Sequence, residues 1–178
     1  MSKKNKKLRL LVTKQCPHKC PMCCNNQFDL MKVPVVDRID YDEIMITGGE
    51  PLLYPRLVCD LIQGLRVLRY GTQTKFYVYT SIAHPAIFPY VLDEADGIVL
   101  TPHNKGTIDL FCLLNAKLLR APEKTKGKSL RLCLFPDIKA MFPQGIDLSL
   151  WQVKDIEWKK DCPLPDGEDF RRLPNLIE

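Results

Sequence analysis

Cys16, Cys20, Cys23 and Cys24 put four of the chain's eight cysteines within nine residues. The spacing is Cys-x3-Cys-x2-Cys with a fourth thiol directly behind. Thiols this dense cannot all find disulfide partners of acceptable geometry, so the stretch reads as a metal-binding loop. Two metals suit it. Three of these cysteines completed by His18, Cys24 or Cys162 would make a zinc site, and three thiolates are equally natural ligands of an iron–sulfur cluster. A register that uses Cys20 and Cys24 is also open. A second stretch, Gly48, Gly49, Glu50 and Pro51, carries two adjacent glycines, which either make a tight turn or let a backbone approach a ligand closely. Cys59 and Cys112 fall in helical patterns and Cys133 in a strand pattern, where a cysteine behaves as a small buried hydrophobe.

These residues need a scaffold that brings them together. Six β-rich runs recur along the chain, at 8–13, 42–49, 75–81, 97–103, 130–135 and 151–158. Between them Leu57, Val58, Leu61, Ile62, Leu65 and Leu68 repeat at helical spacing, residues 107–120 read as a second helix and 88–95 as a shorter third. Strands alternating with helices predict parallel βαβ units in one α/β domain over residues 1–178. Between Cys23 and Gly48, Pro34 and the β-branched pair Val35 and Val36 leave room only for a helical stub. Folds of this kind hold ligands at the carboxyl ends of their strands. The cysteines follow the first strand, Gly48 to Pro51 the second, Thr80 and Ser81 the third, and His103 the fourth, so all converge on one rim. The stretch after Asp161, rich in proline and acidic residues, reads as a loose tail carrying the thiol of Cys162.

Cys-x3-Cys-x2-Cys after a first strand, followed by Gly-Gly-Glu-Pro after a second, resembles the radical S-adenosylmethionine (SAM) superfamily. The resemblance is carried by residues 8–53 and is architectural beyond them. It implies an incomplete (β/α)6 barrel of parallel strands, with Cys16, Cys20 and Cys23 holding a [4Fe–4S] cluster whose open iron chelates SAM. It further implies that Gly48, Gly49, Glu50 and Pro51 hold the methionine amino group, and that Thr80, Ser81 and His103 face SAM or substrate. Cys24, followed by Asn25, would then pack beside the cluster. The expected activity is reductive cleavage of SAM to a 5′-deoxyadenosyl radical that abstracts hydrogen, with flavodoxin or ferredoxin as electron donor. The late GSxNQ-like stretch of activases of anaerobic ribonucleotide reductase is absent, as is the Asp-Thr that follows the cysteines in 7-carboxy-7-deazaguanine synthases.

Composition narrows the remaining choices. Lys3, Lys4, Lys6, Lys7 and Arg9 account for the net charge of +5; without them 21 basic residues face 21 acidic ones. The basic character therefore belongs to an end expected to be flexible over residues 1–7, and it does not call for a nucleic-acid partner. No run suggests a signal peptide or membrane span, which makes a cytoplasmic protein the expectation. So short a barrel should leave its mouth open, and a protein substrate such as a glycyl radical enzyme would close it. The alternatives are modification of a small molecule or peptide within the same superfamily and, outside enzymes, a zinc-binding interaction module.

Overall fold

The computed structural model describes residues 6–27, 29–160 and 162–177. All six expected strands form: β1 (Lys7–Thr13), β2 (Glu43–Thr47), β3 (Lys75–Thr80), β4 (Gly97–Leu100), β5 (Ser129–Leu134) and β6 (Gln152–Asp155). A seventh, β7 (Glu168–Ile177), lies where a loose tail was expected. The sheet is open and parallel throughout, in the order β6-β5-β4-β3-β2-β1-β7. Seven strands in an open sheet replace the expected six. Of the basic end, residues 1–5 lie outside the described residues. The rest of it is not loose: Lys7 opens β1 and Lys6 donates its backbone N–H to Asp42.

The helices are the stub α1 (Cys24–Gln27), then α2 (Pro55–Leu68), α3 (Ile87–Glu94), α4 (Lys105–Leu119) and the short α5 (Pro136–Ala140). Proline at the first turn starts α2, where its missing N–H costs nothing. At the head of α4, Asn104 and Thr107 bond to each other's backbone N–H groups. From β1 to β6 the strands step across the sheet in one direction, so right-handed crossovers put their helices on one face. There Val58, Ile62, Phe88, Val91, Ile108 and Phe111 pack on Leu8, Leu10, Ile44, Ile46, Phe76 and Val78 in one buried core. Cys59 is buried in it, and Cys112 and Cys133 are half-buried.

The alternate residues of each strand point to the opposite, inner face. It carries the Arg9–Glu168 ion pair at 2.7 Å, the Tyr79 hydroxyl on the Met45 sulfur, and Arg131 over the ring of Tyr77. The stub α1 borders this face, with Cys24 and Asn25 beside Arg9 and Thr47 around one cavity. Residues 156–160 and 162–167, between β6 at one edge and β7 at the other, lie against it as a strap. No helix among the described residues is long and apolar enough to cross a membrane.

Candidate active site at the carboxyl rim of the sheet

The pairing of β1 with β2 continues beyond both strands. Gly49 N–H donates to the Thr13 carbonyl and Glu50 N–H to the Gln15 carbonyl, each at 2.7 Å. The root of the cysteine loop is thereby fixed against residues 48–50. Both glycines are needed for this contact. Gly48 has φ +145°, and a Cβ on it would lie 2.6 Å from the Thr13 oxygen. A Cβ on Gly49 would run into the Gln15 carbonyl. The close approach expected between these glycines and a cofactor is, within the chain, an approach between two loops.

Glu50 is 1% exposed, and its carboxylate is surrounded by donors. One oxygen accepts from Leu52 N–H (3.0 Å) and the Thr80 hydroxyl (2.6 Å); the other accepts from Ser81 N–H (2.8 Å) and the Ser81 hydroxyl (2.6 Å). A carboxylate offers about four lone-pair directions, and here all four are taken. Thr80 and Ser81 do reach the rim, where they bind Glu50 and tie the end of β3 to the end of β2. Pro51 opens the single 3-10 turn that Glu50 caps.

Cys16, Cys20 and Cys23 are free, Cys16 exposed and the other two half-buried. Burial, then Cys23 and Cys16, push the Cys20 thiol up to about 11. Burial also raises Cys16, with the His18 backbone N–H opposing it and Glu50 and Cys23 adding to it. A thiol binds a metal as its thiolate, so metal binding by this loop would release protons.

Cys20 and Cys23 line a cavity of about 460 Å³ between the inner face and the strap. Arg9, Leu11, Thr47 and Phe170 lie on the sheet side, and Trp158 and Leu164 are among the apolar residues across from them. A neighbouring cavity of about 270 Å³ shares Cys20, His103, Phe135 and Trp158. Phe135 and Trp158 stack at 4.0 Å, and the ring of His103 lies 6.1 Å from Trp158 and 5.2 Å from His18. His103 therefore takes its expected place on the rim. The Phe135–Trp158 wall is not legible from residue types, because aromatic residues at strand ends are ordinary core candidates.

Cys24 and Cys162 depart from expectation. They form a disulfide across 138 residues, with Cα atoms 5.5 Å apart. Cys162 is thus a buried anchor instead of a tail thiol. Density of cysteines excludes mutual pairing within the loop, and it does not exclude one partner arriving from far along the chain.

Burial, with the neighbouring His18 adding to it, lowers the His103 pKa from 6.5 to about 4, against a smaller opposing effect of Asp137. In the unfolded chain His103 takes up its proton near pH 6.5. Its stabilising contribution is therefore complete above that pH and falls away as the pH drops towards 4. The urea midpoint should decline over that window, and His103→Phe should flatten the decline. An identical slope in the variant would remove His103 as its source.

Compared with known proteins, the chain matches no family model and no curated protein.

Proposed function

We propose that the chain is a radical SAM enzyme built on an abbreviated barrel, with its site at the carboxyl rim. One observation carries the reading: the backbone bonds from Gly49 and Glu50 fix the Gly-Gly-Glu-Pro stretch directly against the root of a loop with three free cysteines. In this reading Cys16, Cys20 and Cys23 would hold a [4Fe–4S] cluster, and the main chain of residues 48–51 would face SAM beside it. When bound, the two groups would supply one-electron cleavage of the sulfonium and a 5′-deoxyadenosyl radical for hydrogen abstraction. The chain's own part is to position and to shield. Glu50 fixes the ends of β2 and β3, Phe135 and Trp158 give the rim an apolar wall, and Arg9, paired with Glu168, gives the cavity a polar point for orienting a substrate.

The cavity also bears on the substrate. The chain's own residues 156–159 and 162–165 wall it, where an open mouth awaiting a protein partner was expected. This favours a small molecule over a glycyl radical enzyme.

Anaerobic reconstitution tests the reading. The protein should turn brown, with iron and sulfide in equal amounts, and with a strong reductant should convert SAM to 5′-deoxyadenosine and methionine. Cys20→Ala should lose the iron, whereas Cys24→Ala and Cys112→Ala should keep it. Stoichiometric zinc with no capacity for iron would move the chain to the zinc-binding class.

A further inference from the structure

The strap is held by little apart from its cysteine. Among the described residues, no backbone hydrogen bond ties residues 157–160 or 162–164 to the sheet. Lys159, Lys160, Pro163, Leu164 and Pro165 are all exposed. The described contacts between its ends are the stack of Trp158 with Phe135 and His103, and buried Cys162 bonded to Cys24. Cys162 is also the only described non-glycine residue with positive φ, at +38°, a conformation that its neighbours must enforce. Both halves of the disulfide line the large cavity, and so do the free thiols Cys20 and Cys23.

We infer that Cys24 and Cys162 form a thiol–disulfide redox site that fastens the strap over the cavity and releases it on reduction. The partner is a dithiol reductant, small or proteinaceous. One of its thiolates attacks a sulfur of the pair, forming a mixed disulfide and freeing the other cysteine as a thiolate that takes up a proton. The second thiol of the reductant then displaces the remaining cysteine. Two electrons and two protons pass to Cys24 and Cys162, and the reductant leaves as its own disulfide. The reduced strap keeps only its aromatic contact, so access to the cavity follows the thiol redox state.

Two measurements on the full chain test this. Air-oxidised protein, alkylated after denaturation, should take up six labels, and protein treated with dithiothreitol should take up eight. Trypsin should cut after Lys159 and Lys160 roughly ten-fold faster in the reduced form, because local opening controls cleavage, while cutting after the exposed Lys126 stays unchanged. Cys162→Ser and Cys24→Ser should cut at the fast rate in both states. Eight labels in the oxidised protein, or equal strap cleavage in the two states, would overturn the proposal. Neither readout involves iron or SAM, so failure here is distinguishable from failure of the radical SAM reading.

Discussion

Gly49→Ala should destabilise the chain by about 3 kcal/mol or more and abolish iron uptake with it. The added methyl group meets backbone on the cysteine loop, at the Gln15 and Lys14 carbonyls, and not a side chain that can swing away. To relieve the clash the loop must retreat, breaking the two 2.7 Å bonds that fix its root and displacing Cys16. Gly64→Ala is the matched control. It lies exposed in α2 with nothing within 4 Å of the new Cβ, and should add about 0.5–1 kcal/mol by helix propensity. Urea unfolding of the metal-free chains gives both numbers. A Gly49→Ala midpoint at the wild-type value would show that the two loops do not depend on this contact.

Glu50→Ala should cost about 3–5 kcal/mol, since it strips the acceptor from four buried donors at once. Glu50→Gln should fall between the two, because its amide keeps the shape but turns an NH2 towards groups that themselves donate. The resemblance to radical SAM enzymes implies a different outcome, in which the side chain meets the ammonium of SAM and its loss weakens binding without unfolding anything. Thermal unfolding without ligand separates the two roles. A drop of about 10 °C belongs to the fastening at the ends of β2 and β3, and an unchanged transition with weakened SAM binding belongs to the ligand.

Much of the scaffold was legible because apolar residues recur with plain period. The helical spacing of Val58, Ile62 and Leu65 and the dense apolar runs of β1, β2 and β4 declare themselves. β7 did not. Its sequence, Glu168 to Ile177, mixes charged residues with Pro174, and two further prolines, Asp166 and Gly167 precede it. Proline is tolerated there because the strand lies at the edge of the sheet, an arrangement that only the fold reveals. The same holds for the rim. The types of Glu50, Thr80 and Ser81 marked them as site residues, but sequence spacing cannot tell whether a carboxylate faces a ligand or its own neighbours. Cys162 was unreadable for a related reason: its partner lies 138 residues away, and connectivity is not encoded in local pattern.

The pairing of β1 with β7 has a consequence for synthesis on the ribosome. β1 is translated about 160 residues before β7, one of its two neighbours in the sheet. At about 5–20 residues per second, that side of β1 waits roughly 10–30 s for its partner. Throughout that interval the apolar run of Leu8, Leu10, Leu11 and Val12 sits on an unpaired edge, able to recruit strands from other nascent chains. Slower translation should therefore favour aggregation of this chain, and a chaperone that shields exposed strand edges should raise its soluble yield.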